Sequence, residues 1–158
     1  MKRTYIMVAL LGSALALQAA STSTTTGDQS KQASRLLREI KADAVQVRSD
    51  AARLDTMAAN SNTTWMDYDH QWNVIKPCVE DMQMKLARLE RIQSSLSATE
   101  RTDLGQMKPL VGEIQSRTHE FLMLLDKPGV QTSDARFKTY ASSLRSEAGK
   151  LETIVPAS

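Results

Sequence analysis

The sequence predicts an all-α protein, an elongated antiparallel up-and-down four-helix bundle with coiled-coil-like packing. Three observations carry that expectation. Apolar residues recur three and four apart through most of the chain. Charged residues fill the faces between them, so each apolar stripe is narrow, like a coiled-coil seam. Strand patterns are almost absent. Of the 158 residues 24% are charged and only 4% aromatic, so the interior has to be built mainly from aliphatic side chains.

The opening residues, MKRTYIMVALLGSALALQAA, stand apart from that pattern. Lys2 and Arg3 give a positive start, Tyr5 to Leu17 is an apolar run, and Ala19 and Ala20 end it with small residues. This layout predicts a secretory signal peptide over residues 1–20, and the run is shorter than the roughly 20 apolar residues of a membrane span. A periplasmic or secreted protein follows, with no membrane insertion after cleavage. Residues 21–30, STSTTTGDQS, are small and polar without periodicity and predict a flexible tether.

The bundle is expected over residues 31–156, with helices at about 30–59, 65–95, 98–126 and 133–154. The first stripe runs through Leu36 or Leu37, Ile40, Ala44, Val47, Ala51, Leu54 and Ala58. The second holds Trp65, Tyr68, Trp72, Ile75, Val79, Met82, Leu86, Leu89 and Leu96. The third uses Leu104, Met107, Val111, Ile114, Thr118, Phe121 and Leu125, and the fourth Phe137, Tyr140 or Ala141, Leu144, Ala148, Leu151 and Val155. Thr64 with Asp67 and Ser97 with Glu100 have capping-box spacing. Lys127-Pro128-Gly129 is a helix stop, and Thr132 or Ser133 can cap the last helix. Pro77 and Pro109 fall inside helices but leave the stripes in phase, which predicts bends rather than breaks. Gly105, four before Pro109, is expected to leave room for such a bend, and a bend at either proline can open a pocket between the second and third helices.

Charge and cysteine usage exclude several classes of function. The chain has 20 basic and 18 acidic residues, and removal of Lys2 and Arg3 leaves 18 of each. A neutral mature chain has no basic excess for nucleic acid. Cys78 is the sole cysteine, so no internal disulfide can form and thioredoxin-like or zinc-finger spacings are missing. No nucleophile elbow, glycine-rich phosphate loop or apolar carboxylate pair is present, and the protein is expected not to be an enzyme.

One stretch concentrates the rare letters: TWMDYDHQWNVIKPCVEDM holds both tryptophans, one of two histidines and the cysteine. Helical spacing assigns Trp65, Tyr68 and Trp72 to the core and His70 to the opposite, wet side, with Asp67 and Cys78 at its shoulder. His70 and Cys78 are eight apart, about 12 Å along a helix, too far to share an ion. No metal site and no cofactor are therefore expected. The alternative is a bundle that binds haem, a metal or another small ligand between helices, with Met57, Met82, Met107 and His119 as candidate ligands. Finally, Met66, Val74, Pro77 and Met84 place apolar groups away from the stripe, a candidate partner surface. The expected function is an exported helical bundle that acts by protein binding or self-association in the cell envelope.

Overall fold

The computed structural model describes the backbone of residues 17–154 and the side chains of residues 27–154. The expected signal peptide and Val155 lie outside the described side chains. Four helices occur among the described residues: α1 (Leu17–Ala58), α2 (Trp65–Arg91), α3 (Ala98–Leu125) and α4 (Ala135–Ile154). A short 3₁₀ turn, Gln93–Ser95, follows α2. No strand occurs among the described residues. Consecutive helices pack on one another, and α4 closes the ring on α1. Asp43 meets Lys85 while the later Asp50 meets the earlier Gln71, so α1 and α2 run antiparallel. The protein is an all-α four-helix bundle.

Local chemistry explains where the helices start. Thr64 and Asp67 form a full capping box, with the Thr64 N–H donating to Asp67 Oδ2 at 2.8 Å and the Asp67 N–H donating to Thr64 Oγ1 at 3.3 Å. Ser97 and Glu100 do the same for α3 at 2.9 and 3.2 Å. Each box satisfies two amides that a helix start leaves open. The start of α4 differs from expectation. Asp134, rather than Thr132 or Ser133, accepts the Arg136 N–H at 2.9 Å. Its two oxygens also hold the Arg136 guanidinium, which a hydroxyl cannot do. Gly129 takes the left-handed turn after α3 at φ 79, where a Cβ would be strained.

The core follows the stripes closely. Ile40, Ala44, Val47, Tyr68, Ile75, Met82, Met107, Ile114, Phe121, Ala141 and Leu144 are completely buried or within 1% of it. Both alternatives at 36 and 37 are buried, whereas Ala141 is chosen over Tyr140. Leu124 is buried and Leu125 half-buried, a shift of one position at the end of α3.

Two differences have physical causes. The polar stretch 21–30, expected as a tether, continues α1 as helix. It contains no proline, and a helix already nucleated on packed residues extends at one hydrogen bond per residue. Gln29 is anchored there by the Ser95 hydroxyl. Trp65, expected in the core, is 39% exposed, because it is the first residue of α2 and overhangs the bundle's end. Both prolines sit on exposed faces of uninterrupted helices, so the carbonyls they deprive of an amide face the solvent side. A Cβ at Gly105 would meet nothing within 4 Å outside its own helical turn.

Candidate functional site

The rare letters of α2 divide among three environments. Trp65, Tyr68 and Trp72 join Phe121 and Phe137 in one aromatic cluster. Tyr68 stacks on Phe137 with ring centres 4.5 Å apart, and Trp72 stacks on Phe121 at 5.9 Å. Phe121 and Phe137 meet edge to face at 5.5 Å, a favoured arrangement of the ring quadrupoles. The Tyr68 hydroxyl donates to the Thr132 carbonyl at 3.2 Å, tying α2 to the loop between α3 and α4. This cluster is packing.

Asp67 is committed to the capping box, and the Thr64 hydrogen bonds hold its carboxyl below the usual carboxylate range. His70 is exposed on the far side of α2. Cys78 is half-buried against the core, where burial, with Asp43, Asp50 and Asp81 nearby, pushes its thiol up. A thiol that holds its proton is a poor nucleophile. His70, Cys78 and Asp67 thus do not converge. No group of three metal-ligating side chains occurs among the described residues.

The seam between α1 and α2 carries a polar inlay that periodicity does not reveal. Asp50 is completely buried. It accepts from Gln46 Nε2 at 2.7 Å and from Gln71 Nε2 at 3.1 Å, with Arg53 3.6 Å away. Two turns back along α1, Lys85 bridges Asp43 at 2.6 Å and Asp81 at 3.2 Å. Burial, with Asp81 and Glu39 nearby, raises the Asp43 carboxyl in spite of its bond to Lys85. Burial also opposes the Lys85 charge, but its hydrogen bonds and charge attraction to Asp43 and Asp81 together outweigh that and raise it. Every member has a partner, as buried polar groups require. The sequence signal was present in one form only: Asp43 and Asp50 are seven apart, two turns along one face.

Between α2 and α3 lies an open groove of about 210 Å³, floored by Trp72, Val79 and Leu122 and edged by Thr118 and His119. That groove is smaller than the roughly 300 Å³ at which small-molecule sites begin. Pro77 does not line it. Of the candidate ligands, His119 is exposed at its rim, Met57 is half-buried near the end of α1, and Met82 and Met107 are fully buried in the packed core. None of the three methionines lines the groove that holds His119, so the structure does not bring a ligand pair together there.

Of the candidate partner surface, Met66 is 81% and Met84 53% exposed; Pro77 is exposed and Val74 half-buried. Pro77 and Met84 share a hollow with Asp43, Cys78, Glu80 and Asp81. Met66 lies eighteen residues from Met84, roughly 27 Å along the helix, and is a separate feature. A second hollow, on the opposite flank of α1, is lined by Val45, Arg48, Ser49, Ala52 and Arg145. Sequence reasoning missed it because its residues come from two helices far apart in the chain. No known protein family, curated protein or solved structure matches this chain.

Proposed function

We propose that this protein is an exported, non-enzymatic helical bundle that works by binding protein, another envelope component or a second copy of itself. The observation that carries the reading is the exposure of long apolar side chains outside a core already closed by its own helices: Met66 at 81%, Met84 at 53% and Met123 at 58%. Isolated exposed apolar residues are normal; here Met84 adjoins Pro77 in a hollow ringed by carboxylates, an apolar centre with a polar edge, which is the make-up of a contact surface. Methionine suits such surfaces because its unbranched chain adapts to its partner. The leader-like residues 1–20 support export, and no described helix is long and apolar enough to cross a membrane.

The test is crosslinking in the native envelope followed by mass spectrometry, on the wild type and on Met66→Lys with Met84→Lys. The reading predicts specific crosslinked species that the double variant loses while keeping its helical circular dichroism. Identical crosslinks from both proteins, or a Soret band or stoichiometric metal in protein purified from its host, contradict it.

A further inference from the structure

We propose that the partner of the Met84 surface is a second copy of this chain, whose α1–α4 hollow receives Met84. The inference rests on the protein-binding reading above and names its surface.

Two hollows flank α1, and they are complementary. The first, between α1 and α2, has Met84 standing out beside Pro77, with Asp43, Glu80 and Asp81 around it. Glu80 and Asp81 lie 3.8 and 3.2 Å from Lys76 and Lys85, yet their side chains stay 59% and 51% exposed, so both can still reach a neighbour. The second, between α1 and α4, has an apolar wall at Val45 and a floor at Ala52, with Arg48 and Arg145 at its edge. Val45 is 42% exposed. The Arg145 guanidinium has no ion pair or hydrogen bond among the described residues, and Arg48 is half exposed despite its 2.9 Å pair with Glu152.

An apolar knob with an acidic rim and an apolar pit with a basic rim therefore occur on one molecule. Complementary rims steer encounter and fix register, while desolvation of the apolar centres supplies affinity. Glu80 and Asp81 meet Arg145 and Arg48 across such a contact, where guanidinium and carboxylate can pair bidentately. The near-zero net charge of the chain leaves little long-range repulsion between copies. Because knob and pit belong to different faces, the contact is heterologous. Each copy offers a free knob and a free pit after the first contact, so assembly passes beyond a dimer, into a closed ring or an open chain.

The experiment is sedimentation velocity on the purified exported protein across a concentration series, at low and high salt, with circular dichroism to verify folding. Species larger than a dimer are expected at about 50 mM salt, receding at about 500 mM as screening shortens the reach of the rim charges. Arg145→Glu and Glu80→Arg, each alone, are expected to weaken association about tenfold or more. Equimolar mixing of the two variants is expected to restore it, because the reversed rims then match. A protein that stays monomeric throughout overturns the proposal. So does association indifferent to both reversals, or no recovery on mixing. If envelope crosslinking captures a different protein on Met84 while this chain sediments as a monomer, self-docking is overturned and the broader protein-binding reading stands. If the protein carries haem or metal and no crosslinks form, both fall.

Discussion

The aromatic end of the bundle and the middle of the α1–α2 seam hold the same helices together by opposite means. At the end, Tyr68, Trp72, Phe121 and Phe137 fill space with rings packed against one another, stacked or edge to face. In the seam, Asp50, Gln71, Asp43 and Lys85 are held by hydrogen bonds and charge, each of which demands a particular partner at a particular distance. The first arrangement contributes bulk stability through buried area. The second contributes little net energy but penalises every wrong pairing of α1 with α2, since a slip leaves a buried carboxylate alone. One region makes the bundle stable and the other makes its register unique.

Truncation separates the two most sharply. Phe137→Ala removes a side chain 1% exposed that touches three other rings, and a loss of about 3–5 kcal/mol is expected in urea melts. In the seam, Asp50→Ala strands the Gln71 amide without its acceptor and is expected to cost about 1–3 kcal/mol. The double replacement Asp50→Leu with Gln71→Met makes the site apolar on both sides. Its stability is expected within about 1 kcal/mol of wild type, or above it. If the double variant is instead as damaged as Asp50→Ala, the seam is not acting through partner matching. Tyr68→Phe keeps the ring and removes the hydrogen bond to the Thr132 carbonyl, for a loss of about 1 kcal/mol at the aromatic end.

Much of the aromatic end was legible in the sequence, and almost none of the seam. Tyr68, Trp72, Phe121 and Phe137 announce themselves because large apolar residues at helical spacing have one place to go. The capping residues Thr64, Asp67, Ser97 and Glu100 were legible too, since a cap acts within four residues of itself. Asp50 and Gln71 were not, because a polar residue beside a stripe is ordinarily solvated and only a second helix reveals its partner. Trp65 was misplaced for a related reason: periodicity assigns an angle around the helix but not whether the neighbouring helices extend that far. The separation of His70, Cys78 and Asp67 was readable from spacing alone, whereas the Arg48 and Arg145 hollow needed α4 to fold back on α1.

Smaller effects follow from pH. The carboxyls of Asp67 and Glu100 are held low, Asp67 by its Thr64 hydrogen bonds and Glu100 by Ser97 and Ser34 bonds that overcome its burial. A carboxyl whose folded pKa lies below its unfolded one adds stability above about pH 4, and loses it as pH falls through the folded value. Asp43 is raised by burial and has the opposite sign: its contribution is present in acid and fades as pH rises through its folded value. The double variant Asp67→Asn with Glu100→Gln is therefore expected to lose less melting temperature between pH 6 and pH 3 than wild type does. Asp43→Asn, by contrast, is expected to steepen that acid loss slightly. The smallest signal is chemical: Cys78, with its thiol pushed up, is expected to react with a disulfide reagent at pH 8 more slowly in the native protein than in urea.

The most direct measurement is acrylamide quenching of two single-tryptophan proteins, Trp65→Phe and Trp72→Phe. Trp72 is 5% and Trp65 39% exposed, so the bundle described here predicts blue-shifted, weakly quenched emission when Trp72 remains. It predicts red-shifted, readily quenched emission when Trp65 remains. Equal quenching of the two, or free access to Trp72, would contradict a closed four-helix interior with the aromatic residues at its end.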